Sequence, residues 1–176
     1  DLADERLAGK PFQMYMAPGN DDWFVIDEMI DDAKLVHPCD GRVVDIDGHE
    51  MITSSYANPT PWQTPRELSE EDLEVKLREL CAMVKNHATA IYNFHVPPYG
   101  YSLDLCPKLD ENLTMSAEEK IHAGSIGAKR VIEENQPLLG LHGHIHESRG
   151  AQKAGRTLLI NSGSEYSEGI LKGVII

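Results

Sequence analysis

The sequence has 176 residues, which fits one domain large enough to bury a real core. Its formal net charge of −13, with no basic run, excludes the Lys/Arg neutralisation of phosphates through which proteins grip nucleic acid. No stretch reaches the ~18 apolar residues of a membrane-spanning helix, and three cysteines without a Cys-x-x-Cys pair exclude a disulfide framework or a thiolate zinc site.

Residues 1–10 read as the last turns of a helix closed by Gly9, not as a signal peptide, so the sequence opens inside an element and further chain is expected upstream. Residues 11–18, apolar and aromatic, read as a buried strand ending at Gly19-Asn20-Asp21-Asp22. Asp21 or Asp22 can cap a helix over residues 23–32. Asn20 sits directly at the strand end, where α/β proteins place their ligands. Leu35-Val36-His37, Val43-Val44-Asp45-Ile46 and Met51-Ile52-Thr53 read as short strands joined by hairpin turns at Asp40-Gly41 and Asp47-Gly48. His37 and His49 are read as surface residues and Cys39 as packing.

Residues 58–65 hold three prolines and Trp62, which makes a stiff loop: a lid laying Trp62 on a ligand, or a surface loop whose Trp docks on its own domain. Ser69-Glu70-Glu71-Asp72 resembles a capping box, and Leu73, Leu77, Leu80 and Val84 form the apolar stripe of a helix over residues 69–86. Residues 88–93 read as a buried strand that delivers His95 ahead of Pro97-Pro98, which end any further ladder. A long loop to about residue 113 offers Tyr99, Tyr101 and Asp104 to a ligand. A second helix is expected over residues 116–135, with Ser116 and Glu119 as its capping pair and His122, Gly124 and Ser125 near its middle. Residues 138–141 form the strand leading into Gly143-His144-Ile145-His146. Strands over 150–154, 157–160 and 169–176 close the chain.

The segment Gly140-Leu141-His142-Gly143-His144-Ile145-His146 holds three of the eight histidines at alternate positions. Side chains two apart share one side of an extended backbone, so His144 and His146 can point into one site. Neutral imidazole is the commonest metal ligand near neutral pH.

Three polar clusters therefore fall at three strand ends: Gly19-Asn20-Asp21-Asp22, His95, and Gly143-His144-Ile145-His146. In that order they resemble the Gly-Asn, lone His and Gly-His-x-His motifs of the calcineurin-like metallophosphoesterases. The Asn161-Ser162-Gly163-Ser164 segment is similar to the turn that often follows the last motif in that family. The resemblance implies an α/β or α+β fold, a β-sandwich of two mixed sheets flanked by helices. It implies one domain over residues 1–176 that lacks its N-terminal portion, roughly two βα units of ~30 residues each. The strand and helix count alone agrees with α/β or α+β and does not specify the sandwich.

Carried over by position, the resemblance makes Asn20, His95 and His144 ligands of one metal and His146 a ligand of the other. The family's Asp-x-His and Gly-Asp motifs have no counterpart in these residues. Asp21 stands where the family commonly has a His near the leaving group, and an aspartate, ionised at neutral pH, repels a phosphate anion. Asn20, Asp21 and His95 are the catalytic candidates. Two divalent transition-metal ions are implied, and the His/Asn/Asp donors fit Mn, Fe or Zn better than Mg or Ca. Such a pair lowers the pKa of a shared water and clamps phosphoryl oxygens. The expected function is metal-dependent hydrolysis of a small phosphomonoester or phosphodiester in the cytoplasm. The alternative is an inactive binding or scaffold protein on the same fold.

Overall fold

The computed structural model describes residues 2–110 and 112–176. In chain order the elements are α1 (Leu2–Leu7), β1 (Met14–Met16), α2 (Val25–Asp31), β2 (Val36–Pro38), β3 (Val43–Ile46), β4 (His49–Ser54) and α3 (Glu70–Ala82). There follow β5 (Ile91–Phe94), β6 (Leu105–Leu109), β7 (Met115–His122), α4 (Ile126–Asn135), β8 (Leu139–His142), β9 (Gly150–Ala154) and β10 (Thr157–Asn161). The class is α+β, as expected. Its largest sheet has six strands in the order β3-β4-β5-β8-β10-β9, and two-stranded sheets, β1-β2 and β6-β7, lie outside it. The central strands β4, β5, β8 and β10 run parallel and both edge strands antiparallel. Parallel neighbours end together, so the C-terminal ends of β5 and β8 deliver His95 and Gly143 side by side.

The core follows from side-chain alternation along these strands. Ile52, Tyr92, Phe94 and Leu159 face a layer made by Leu73, Leu77 and Leu80 of α3 and by Ala128, Val131 and Ile132 of α4. Each fully buried aliphatic side chain contributes on the order of 1.5–3 kcal/mol. The α3 stripe is the one its spacing predicts, and Ser69 caps it by accepting the Asp72 N–H at 3.0 Å. Gly127 is where α4 crosses α3: a Cβ there would lie 2.9 Å from Glu74 Cβ and 3.1 Å from its Cα. On the opposite side of the sheet, a cleft of about 370 Å³ lies between β1 and the strands carrying Thr53, Asn93 and His95. No helix among the described residues is long and apolar enough to cross a membrane.

Several local expectations are corrected. Residues 116–122 are strand β7, not helix, because they pair antiparallel with β6. Ser116 does accept the Glu119 N–H at 3.0 Å, yet strand pairing overrides that local signal. The helix starts nine residues later, at a real cap in which Ser125 accepts the Ala128 N–H at 3.1 Å. The long loop after His95 is shortened by the 3-10 turn at Ser102–Asp104 and by β6. Asp40-Gly41 makes no hairpin. β2 pairs parallel with β1 instead, and Asp40 Oδ1 accepts the Ser55 N–H at 2.7 Å. Asp47-Gly48 does turn a hairpin, with both residues at positive φ (51° and 85°) as a type I′ turn requires. The strand expected over 169–176 does not form among the described residues, where only an isolated bridge joins Glu165 and Ile170.

Candidate functional site

The site forms where three chain segments meet. β1 runs into Gly19-Asn20, β5 into His95, and β8 into Gly143-His144. His95 extends the sheet by donating its N–H to Ser54 O at 2.8 Å, and its own carbonyl accepts the Gly143 N–H at 2.9 Å. Asn20 is 8% exposed, and its Oδ1 lies 2.8 Å from His95 Nε2 and 3.0 Å from His144 Nδ1. The two imidazoles meet edge to face, centroids 5.3 Å apart. Asn20, His95 and His144, expected to share one metal, are thus brought together.

The orientation of the Asn20 amide is dictated by its neighbours. Glu67 Oε1 accepts the Thr64 hydroxyl at 2.7 Å and the Thr64 N–H at 2.9 Å. It also accepts the Thr60 hydroxyl at 2.5 Å. Burial works against the Glu67 charge, but the hydrogen bonds from Thr60 and Thr64 outweigh it and hold the carboxyl below its usual range. Thr64 Oγ1, its proton committed to Glu67, accepts from Asn20 Nδ2 at 2.8 Å. Only the carbonyl oxygen of Asn20 remains to face the histidines. Arg66, 1% exposed, fixes the segment that follows Asn20: Nε donates to Asp22 O at 2.9 Å and Nη2 to Asp27 at 3.0 Å. Its guanidinium also lies over the Phe24 ring.

The last segment is held in an unusual backbone shape. His144 has φ +60°, and the turn around it is closed by Ile145 N–H donating to Gly143 O at 2.6 Å. A left-handed non-glycine residue costs on the order of 1–3 kcal/mol and persists only where its surroundings impose it. Here the buried Asn161 amide imposes it. Its Nδ2 donates to Gly143 O at 3.1 Å and Ile145 O at 3.0 Å, on either side of His144, and to Leu103 O at 3.1 Å. Gly19 is required by a close approach, since a Cβ there would lie 3.0 Å from His95 Cε1 and 3.3 Å from its Nε2.

Burial pushes the His95 imidazole down to about 3, with His144, His146 and His142 adding repulsion. Burial likewise takes His144 down to about 4, reinforced by His146 and opposed by Glu67. Both rings are therefore neutral at physiological pH, the state in which imidazole nitrogen offers a lone pair. Two neutral nitrogens and an amide oxygen fit a first-row ion. Ligands about 2.1 Å from such an ion at right angles to one another stand ~3 Å apart, comparable to the 2.8 and 3.0 Å from Asn20 Oδ1 to His95 Nε2 and His144 Nδ1. Among the described residues no three His, Cys, Asp or Glu side chains converge on one point, so the cluster depends on its Asn.

His142 lies behind this layer. Its Nδ1–H donates to Phe94 O at 2.9 Å, tying the ends of β5 and β8, while its buried Nε2 has no partner.

Other candidates are placed apart. Asp21 and His146 are exposed, and the His146 ring packs edge-on against Tyr166, centroids 5.3 Å apart. Among the described hydrogen bonds neither reaches Asn20, His95 or His144, although the charge of His146 is felt at both histidines. Asp22 does not cap α2, whose N-cap Phe24 has no side-chain cap; its Oδ2 accepts the Gly19 N–H at 2.7 Å and tightens the turn that presents Asn20. The Trp62 side chain is 59% exposed. Asp104, Tyr99 and His122 do assemble, though not in the loop-and-helix setting expected. Thr64, Glu67 and Arg66 carried no signal in the sequence, since their roles exist only once the loop folds back on Asn20.

No family model matches the chain. It is 29% identical over 151 residues to the uncharacterized protein MJ1162 of Methanocaldococcus jannaschii, covering 85% of this chain and 63% of that protein. The chain thus spans just under two thirds of the length of the curated relative it matches. A solved crystal structure 17% identical in sequence superimposes with TM-score 0.66 over 96% of this chain and 63% of its own, which shows the fold. A second, TT1561 of Thermus thermophilus, is more distant, with TM-score 0.43 over 73% of this chain and 50% of that one.

Proposed function

We propose that the protein to which this chain belongs is a metal-dependent phosphoesterase of the calcineurin-like type, acting on a small phosphomonoester or phosphodiester. The observation that carries this reading is the meeting of Asn20 Oδ1 with His95 Nε2 and His144 Nδ1 at 2.8 and 3.0 Å, three uncharged donors at three strand ends. A divalent Mn, Fe or Zn ion held there would supply positive charge to draw a phosphate to a chain of net charge −13 and would activate water. The residues themselves supply orientation: Thr64 and Glu67 aim the Asn20 oxygen, and Asn161 holds His144 in its turn. Exposed His146 is the candidate ligand of a second ion, and exposed Asp21 the candidate neighbour of the substrate. The relative's greater length leaves room for further ligands in the whole protein.

The test is elemental analysis and hydrolysis of an aryl phosphate by full-length protein and by His144→Ala. About two transition-metal ions per chain in the wild type, reduced in the variant together with metal-dependent hydrolysis, is the expected result. Unchanged hydrolysis in His144→Ala would overturn the reading. Bound metal without hydrolysis would favour the scaffold alternative.

A further inference from the structure

Beside the Asn20 cluster, the loops after β8 and β10 are tied into a second rim that carries His146. The ring of His146 is exposed, and the repulsion it adds at His95 and His144 marks it as their neighbour. Its backbone is fixed, since its carbonyl accepts the Ser164 N–H at 3.1 Å. The Asn161 amide joins the same two loops: Nδ2 donates to Gly143 O and Ile145 O, and Oδ1 accepts the Gly163 N–H at 2.8 Å. Gly163, at φ +67°, permits this approach, because a Cβ there would lie 2.9 Å from His146 O and 3.0 Å from Arg149 Cβ.

These bonds fix the backbone of His146 and leave its imidazole to be oriented by other means. Among the described hydrogen bonds none reaches a ring nitrogen of His146, and an exposed side chain without a partner samples several rotamers. The ring packing described for it is with Tyr166, edge to face, centroids 5.3 Å apart and planes at 83°. Tyr166 is 69% exposed, yet its backbone is held firmly. It opens a 3-10 turn, Tyr166–Glu168, closed by Gly169, whose N–H donates to Tyr166 O at 3.0 Å. The Glu165 carbonyl accepts the N–H groups of Glu168 and Ile170 at 3.0 and 3.2 Å, and its carboxylate pairs with Lys172 at 2.8 Å. An exposed aromatic ring is thus fixed on a rigid turn, two residues beyond the Ser164 N–H that binds His146 O, with its edge-to-face contact on the imidazole.

We propose that Tyr166 is a positioning residue whose ring holds the His146 imidazole in place for the second ion, an inference that rests on the two-ion centre of the phosphoesterase reading. The two ion positions then differ in kind. Asn20 and His144 are oriented before any ion arrives, by the buried hydrogen bonds of Thr64 and Asn161. His146 is oriented by one exposed ring contact. The ion at the Asn20 cluster is therefore the tightly held one, and the ion on His146 the exchangeable one, its affinity set by Tyr166. An edge-to-face pair depends on the aromatic ring, so Phe serves in place of Tyr and an aliphatic side chain does not.

The experiment is calorimetric titration of full-length protein, stripped of metal, with Mn²⁺. Wild type should bind two ions in two steps. Tyr166→Leu should weaken the second step about tenfold, the lower end of what loss of a ligand's outer support costs, and leave the first step unchanged. Tyr166→Phe should bind as the wild type does. His146→Ala should weaken the same second step, and Tyr166→Leu added to it should cost nothing more, whereas a mere loosening of the turn would add its full effect. Because Tyr166 is exposed, urea midpoints should not move. A second step unchanged in Tyr166→Leu, equal weakening of both steps, or a Tyr166→Phe as weak as Tyr166→Leu overturns the positioning role while the two-ion centre stands. A wild type that binds one ion or none overturns the two-ion centre and the positioning role with it. The expected titrations from a protein that hydrolyses no aryl phosphate support the positioning role and remove the enzymatic reading alone.

Discussion

Thr64→Val tests whether the amide of Asn20 is held with its oxygen toward the histidines. The substitution keeps the shape of the side chain and removes one hydroxyl that touches neither histidine. Two hydrogen bonds disappear: Asn20 Nδ2 to Thr64 Oγ1 at 2.8 Å, and Thr64 Oγ1 to Glu67 Oε1 at 2.7 Å. A neutral bond contributes about 0.5–1.5 kcal/mol and one to a charged group about 1.5–3 kcal/mol. Glu67 keeps the Thr60 hydroxyl and the N–H groups of Thr60 and Thr64, so the expected loss of stability is about 2–3 kcal/mol. The effect on metal binding should be separate and specific. With no acceptor for Nδ2, the amide can turn a nitrogen toward His95 and His144, and loss of such an outer support lowers metal affinity about 10–100-fold. Urea unfolding gives the first quantity and calorimetric titration with Mn²⁺ or Zn²⁺ the second, with Thr64→Ser as the control that keeps the hydroxyl. A destabilised Thr64→Val protein that binds metal as tightly as the wild type would refute the orientation argument.

Gly19→Ala places a methyl 3.0 Å from His95 Cε1; it should weaken metal binding at least about tenfold by turning the ring, with a small change in the unfolding midpoint, and unchanged titration curves would count against it. Stability of the metal-free protein should fall with acid. Burial takes His142 down to about 4, opposed by the backbone of Phe94 and Val96 beside the ring, while an unfolded His titrates near 6.5. The unfolded chain thus binds more protons between those values, so stability is full above pH 6.5 and drains as pH falls toward 4. At 1.36 kcal/mol per unit the loss from His142 is about 3 kcal/mol, and His95 and His144 act in the same direction; urea midpoints that stay level from pH 7 to pH 4 would refute it.

What the sequence disclosed, and what it hid, divides along a physical line. The α3 stripe, the Asp47-Gly48 hairpin and the strand ends at Asn20, His95 and His144 were legible because each is written in consecutive residues or in a fixed periodicity. β7 was hidden because Ser116 and Glu119 make the same local hydrogen bond that starts a helix, and only the distant partner β6 turns the segment into a strand. Thr64, Glu67 and Arg66 were hidden for a related reason: nothing local marks them, and they act on Asn20 more than forty residues away. Asn161 was noticed as part of a turn, but its amide clamp on Gly143 and Ile145 required the parallel pairing of β10 with β8. The candidate ligand residues could therefore be named from the sequence, while the groups that orient them could not. If those aiming groups determine metal affinity, substitutions at Thr64 and Asn161 will tell more about this centre than further changes to its histidines.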